Sequence, residues 1–145
     1  MDVTYLIQLV RNHNPPVLNN ANQYFQKIHT HLSMADLSTE VALEKAHFTE
    51  AVVYTLEYGV AFNRVFIGGS PNAGVFHISR SAQYLALSEA LFDLLRLHRE
   101  NKKEMLDFQF SKLINTFLAF AELKGYDLKK GVESVLGVNS QRLSQ

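Results

Sequence analysis

The chain has 145 residues, is 47% hydrophobic and 19% charged, and contains no cysteine. This length suits one domain with its own hydrophobic core, and the missing thiols exclude disulfide scaffolds, cysteine-ligated zinc, iron–sulfur clusters and thiol catalysis. Fourteen basic and fourteen acidic residues cancel, so the basic excess typical of nucleic-acid binding is absent. Since no signal peptide or membrane span is recognisable, we expect a cytoplasmic protein with neither nucleic acid nor membrane as a partner.

Apolar residues recur at helical spacing along the chain, and proline and glycine separate the runs. A short amphipathic helix ends before Asn14, and a second helix extends to about Leu32. The longest run, from about Leu37 to Ile67, predicts a third helix. Within this helix, Gly59 marks a kink or a close contact between helices.

Local signals predict where the middle helices begin. We interpret Ser33 and Asp36, three residues apart, as a variant capping box at the start of the third helix. The run of glycine, serine and proline over 68–74 is a loop. Ser79 or Ser81 then caps a fourth helix.

The last third of the chain predicts two more helices. Gly125 ends the fifth helix in a left-handed cap. Asp127 caps a short sixth helix, which Gly137 terminates. We therefore expect an all-α fold, a single-domain bundle of five or six helices over 1–137, followed by a polar C-terminal tail over 138–145.

The third helix carries the pattern most suggestive of chemistry. Glu40, Glu44 and His47 fall within a sector of roughly 60° on a helix that turns by about 100° per residue. That sector overlaps the apolar stripe, so Glu44 is half-buried and needs a metal ion, an arginine or a proton as its partner. Glu44 and His47 also have the Glu-x-x-His spacing of di-iron bundles. The candidate metal ligands are therefore Glu40, Glu44 and His47, with Glu50 as a further candidate.

Plainer interpretations of these residues remain open. Glu44 and His47 can pair with each other, or the first turns of the helix can project beyond the core. A second Glu-x-x-His, which a di-iron site requires, is absent from the sequence.

Polar residues of the later helices are typical of solvated faces. Asp93 and Arg96 on the fourth helix have the spacing of a surface ion pair. On the fifth helix, Asp107 shares a polar stripe with Ser111 and Asn115. We expect both stripes to face solvent.

The aromatic content is high, with ten phenylalanines and six tyrosines. Phe110 and Phe117 share the inner face of the fifth helix, whereas Phe108 projects away from it. Such surplus apolar faces indicate contacts between subunits, and we predict a homo-oligomer. A wide core stripe with scattered exposed aromatic residues explains the pattern equally well.

One segment carries a family resemblance. The sequence over 113–128, LINTFLAFAELKGYDL, resembles a segment of the all-α NTP pyrophosphohydrolases, in which a long helix ends in Leu-Gly-Ile-Asp-Leu and a short capped helix follows. The resemblance implies a helical scaffold and magnesium-dependent hydrolysis of nucleoside triphosphates. The family's metal carboxylates align with Gln109 and Lys112, which cannot ligate magnesium. The Glu-x-x-Asp pair that begins at Glu104 lies five residues too early. The resemblance therefore implies the scaffold without its metal-binding carboxylates.

The sequence as a whole predicts a non-enzymatic helical bundle that acts through protein–protein contacts, as a homo-oligomer and without a cofactor. The alternative is a nucleoside triphosphate pyrophosphohydrolase with Mg or Mn at an atypical site that contains Glu40, Glu44 and His47. A third interpretation is a small-ligand binder with a pocket between aromatic faces. Metal retained through purification would separate the enzyme from the other two.

Overall fold

The protein forms six α-helices in a computed structural model that describes residues 2–13, 20–68 and 79–138. The helices are α1 (Val3–His13), α2 (Ala21–Leu37), α3 (Val41–Ala61), α4 (Arg80–Arg99), α5 (Lys103–Lys124) and α6 (Leu128–Val135). Within these described ranges there is no strand. The predicted all-α, single-domain fold is confirmed.

Helix α3 lies at the centre of the bundle, because it packs against α1, α2, α5 and α6. Helix α4 completes the bundle by packing against both α2 and α5. A central helix needs apolar residues on most of its circumference, and the second half of α3 is buried almost all round. Among the described residues, six aromatic side chains are fully buried in the core: Tyr24, Tyr58, Phe48, Phe110, Phe117 and Phe120.

Three of the predicted helix ends are confirmed. Ser79 caps α4, since its hydroxyl accepts a hydrogen bond of 3.2 Å from the N–H of Ala82. Asp127 caps α6 in the same way, with 3.1 Å to the N–H of Lys130. Gly125 ends α5 with φ 72°, the left-handed backbone that favours glycine.

The predicted capping box is wrong. Ser33 and Asp36 lie inside α2, which continues to Leu37. The buried side chains of Leu32 and Ala35 extend the apolar stripe of α2 past this pair. Packing of that stripe against the core overrides the local capping signal, so α3 begins later than expected.

The predicted third helix also extends too far. Helix α3 ends at Ala61, and Asn63 then adopts a left-handed backbone with φ 57°. Residues 64–68 follow as an extended segment that runs beside α5. Phe66 in this segment packs against the core.

Gly59 marks a close contact between helices, as predicted. A Cβ atom placed on Gly59 would lie 2.5 Å from Cζ of Phe110 on α5. No real Cβ approaches a neighbour so closely, so glycine at this position lets α3 and α5 pack tightly around the Phe110 ring.

Two parts of the prediction lie outside the described residues: the loop beyond Gly68 and the polar tail beyond Val138. Among the helices that the structure does describe, none is both long enough and apolar enough to cross a membrane.

Candidate functional site

The first turns of α3 place the three candidate ligands in different surroundings. Glu40 is the N-cap residue of α3, where its exposed side chain makes no capping hydrogen bond. Glu44 lies in the first turn and is buried. His47, one turn later, is half-buried.

Glu44 accepts hydrogen bonds from three side chains of two other helices. The hydroxyl of Tyr84 donates to Oε2 at 2.6 Å, and Nζ of Lys124 donates to the same oxygen at 3.1 Å. Nε of Arg80 donates to Oε1 at 3.2 Å. We call these four residues the Glu44 cluster. Of the partners that the sequence analysis considered for Glu44, the structure therefore supplies arginine.

Arg80 extends the Glu44 cluster to the end of α2. Its guanidinium group donates to the backbone carbonyls of Ala35 and Asp36, each at 2.7 Å, and of Ser38 at 3.1 Å. It also lies 3.5 Å from the carboxylate of Asp36. One side chain at the start of α4 thus holds the junction between α2 and α3.

The electrostatics of the Glu44 cluster favour an ionised Glu44. Burial raises the pKa of Glu44, but the hydrogen bonds from Tyr84, Lys124 and Arg80 outweigh it, and the pKa lies below its usual value. Burial and the neighbouring carboxylate raise the pKa of Tyr84, so its phenol stays protonated. The Arg80 and Lys124 cations also lie against the Tyr84 ring, at 5.3 and 5.2 Å from its centroid. The cluster can hold three helices together by charge and hydrogen bonding.

His47 contacts a histidine instead of Glu44. Its Nδ1 lies 3.1 Å from Nδ1 of His31 on α2. The ring of Tyr54 stacks on the His31 ring, with centroids 5.6 Å apart. Burial lowers the pKa of His31, and the charge of Glu50 opposes that effect. The structure thus gives Glu44 and His47 separate partners.

The described residues contain no group of three or more histidine, aspartate or glutamate side chains placed to hold a metal ion. The assignment of Glu40, Glu44 and His47 as metal ligands stays a prediction.

A second buried acid lies further along α3. Glu57 is 7% exposed. Burial raises its pKa to about 7, and the charge of Glu50 adds to the increase. Because burial and the like charge of Glu50 both disfavour the carboxylate, ionisation of Glu57 is costly near neutral pH.

The polar stripe of α5 holds the extended segment, so it is not simply solvated. Asp107 accepts a hydrogen bond of 3.0 Å from the N–H of Val65, and Ser111 accepts one of 2.9 Å from the N–H of Ile67. Asn115 donates to the carbonyl of Gly68 at 3.1 Å. These bonds satisfy backbone groups that no helix or strand pairs.

Gln109 and Lys112, the two positions aligned with the pyrophosphohydrolase carboxylates, differ in their burial. Gln109 is buried and donates to the carbonyl of Ala90 at 3.2 Å, which joins α5 to α4. Lys112, three residues later, is exposed.

Sequence reasoning missed Arg80, Tyr84, Lys124 and His31 as partners. Each contributes from a different helix than the residue that it contacts, so no spacing along the sequence links them. The only signal was the expected burial of Glu44, which requires partners without identifying them.

Comparisons of the chain with protein-family models, with curated proteins and with solved structures find no match. The resemblance to the pyrophosphohydrolases accordingly stays a prediction.

Proposed function

We propose that the chain is a non-enzymatic helical protein that acts through protein–protein contacts, and that its partner is a second copy of itself. One observation carries the proposal: four apolar side chains are exposed on the first half of α5 and on the segment that is hydrogen-bonded beside it. They are Val65, Ile67, Met105 and Phe108, which we call the α5 apolar surface. Neighbouring exposed apolar side chains of this size are typical of interaction sites.

The α5 apolar surface is held in place before any partner binds. The hydrogen bonds from Val65 and Ile67 to α5 fix the extended segment beside the helix, with both side chains outward. Met105 precedes Phe108 by three residues, so the two share a helix face. Phe108 is 67% exposed, and a few aromatic side chains that become buried dominate the energy of many interfaces.

Charge complementarity favours a second copy as the partner. Glu104 lies four residues before Phe108 and Lys112 lies four residues after it, and both are exposed on the same side of α5. If two α5 helices pack antiparallel about a two-fold axis at Phe108, Glu104 meets Lys112 of the partner subunit, and the reverse pair forms by symmetry. The zero net charge of the chain adds little repulsion.

Sedimentation of the full chain tests the proposal. We expect a species near twice 16.5 kDa at micromolar concentration. Phe108→Glu places a charge at the centre of the interface and should give a monomer. Leu37→Glu is the matched control, because Leu37 is 81% exposed at the end of α2 and lies outside the α5 apolar surface.

A charge exchange tests the antiparallel arrangement. Glu104→Lys and Lys112→Glu should each weaken the dimer by placing like charges together, and the double variant should restore it. A wild-type monomer, or dissociation by Leu37→Glu and not by Phe108→Glu, would contradict the proposed surface. Metal-dependent release of pyrophosphate from nucleoside triphosphates by the wild-type chain would instead support the enzyme alternative.

A further inference from the structure

Two histidine rings face each other across the contact between α2 and α3. Nδ1 of His31 and Nδ1 of His47 lie 3.1 Å apart, and the rings are inclined by 32°. We propose that His31 and His47 together bind one divalent transition-metal ion of the zinc type, which cross-links the two helices. This proposal does not depend on self-association.

The separation of the two nitrogens matches that of two ligands on one metal ion. Imidazole nitrogens bind Zn²⁺ at about 2.0–2.1 Å. Two such bonds that span the observed 3.1 Å enclose an angle of roughly 100°, between octahedral and tetrahedral values. The ion therefore fits without a change in the separation of the two nitrogens, and each ring turns its Nδ1 lone pair by roughly 40° off the line that joins them.

The surroundings support the His31 ring and leave room for solvent ligands. Tyr54 stacks on His31 with the ring planes inclined by 18°. Both histidines are half-buried, so water can complete the coordination shell. Glu50 acts on His31 by its charge, and it follows His47 by three residues on α3, so it favours a cation there. The charge of Lys27 acts in the opposite direction.

Without metal, the pair forms a hydrogen bond in which one Nδ1 donates and the other accepts. When metal binds, the proton of the donor ring moves to its Nε2 atom, and both Nδ1 lone pairs face the ion. The exchange needs no change in total charge on the rings.

The ligand type determines the class of metal. Imidazole suits Zn²⁺, Ni²⁺ and Cu²⁺, whereas Mg²⁺ and Mn²⁺ prefer oxygen ligands. The proposed site thus differs in metal class from the Mg or Mn site expected of the enzyme alternative.

Titration calorimetry with Zn²⁺ on the full chain tests the proposal. We expect one Zn²⁺ per chain, and a melting temperature raised by roughly 3–6 °C at about ten times Kd. His31→Phe keeps an aromatic ring against Tyr54 but removes the nitrogen, and it should weaken this site by about tenfold or more. His47→Phe should do the same. His29→Ala is the matched control, because His29 lies on α2 and packs against Phe92.

A second measurement separates this site from other histidines. Electron paramagnetic resonance of bound Cu²⁺ should show two nitrogen ligands in the wild-type chain and in His29→Ala, and one or none in His31→Phe. Absence of Zn²⁺ binding by the wild-type chain, unchanged binding by either phenylalanine variant, or an equal effect of Mg²⁺ would overturn the proposal.

Discussion

Glu44 is a buried acid that is balanced by cations from two other helices. Replacement by glutamine keeps the shape of Glu44 but leaves Arg80 and Lys124 without their carboxylate, at side-chain exposures of 39% and 15%. Breaking a partly buried ion pair on one side is destabilising. We expect Glu44→Gln to lower the free energy of unfolding by about 1–3 kcal/mol near neutral pH, measured by urea denaturation.

The same variant has a pH signature and a control. The pKa of Glu44 in the folded chain lies below its usual value of 4.5. Its stabilisation is therefore present above that value and is lost as the pH falls through the folded pKa. The difference between wild type and Glu44→Gln should shrink in acid. Glu40→Gln removes an exposed charge and should change stability by less than about 0.5 kcal/mol, and an equal loss in both variants would contradict the role of burial.

The contribution of Glu57 to stability should depend on pH in the opposite direction to that of Glu44. The folded pKa of Glu57 is raised from 4.5 to about 7, so the folded chain holds this proton more tightly than the unfolded chain does. The stability that the protonated form contributes is full below the usual value and is lost as the pH rises through about 7. The free energy of unfolding of Glu57→Gln, taken relative to that of wild type, should therefore rise by about 2–3 kcal/mol between about pH 5 and pH 8.

The quantity to measure is the difference in the free energy of unfolding between wild type and Glu57→Gln, again by urea denaturation. His31 and His98 have pKa values that burial lowers, so they destabilise the wild-type fold as the pH falls and mask Glu57. Glu104→Gln at the exposed start of α5 controls for removal of a charge from the surface. A pH-independent effect of Glu57→Gln would contradict an acid with a raised pKa at this position.

At the level of the helix pair, the close packing of α3 against α5 requires a residue without a side chain at Gly59. Alanine favours a helix by about 1 kcal/mol over glycine, but its Cβ would lie 2.5 Å from the buried Phe110 ring. Overpacking of a core costs about 1–3 kcal/mol. We expect Gly59→Ala to lower the melting temperature despite the gain in helix propensity.

A double-mutant cycle identifies the cause. Phe110→Leu shortens the side chain that meets the new Cβ, so Gly59→Ala should cost less in the Phe110→Leu background than in wild type. Additive effects of the two substitutions would show that the loss at Gly59 arises elsewhere.

The same scale shows which elements the sequence predicts well. The caps at Ser79, Gly125 and Asp127 are local, since each depends on one residue and on hydrogen bonds to residues a few positions before or after it. The end of α3 was missed because Phe62 and Phe66 are four residues apart. That spacing fits one face of a helix and also one face of an extended chain, so the pattern alone could not distinguish them.

At the scale of the whole molecule, the residues that contact Glu44 and His47 could not be predicted from the sequence. The position of Glu44 on an apolar stripe indicated burial, because periodicity locates the core face of a helix, but it left open whether the first turns of α3 project beyond the core. The choice of Arg80 and Lys124 depends on how α4 and α5 pack around α3. Likewise, His47 was recognised as a candidate, but His31 is opposite it only because α2 and α3 lie side by side.

The guanidinium of Arg80, a residue of α4, hydrogen-bonds to carbonyls at the C-terminal end of α2. The last carbonyls of any helix lack partners within it. On α2, the carbonyl of Ala35 accepts from the N–H of Ser38 and from Arg80, and that of Asp36 accepts from Arg80, which follows more than forty positions later. The final turn of α2 therefore gains part of its hydrogen bonding only after α4 has docked. In native-state hydrogen exchange, the end of α2 and the start of α4 should lose protection together, as one cooperative opening unit that joins distant parts of the chain.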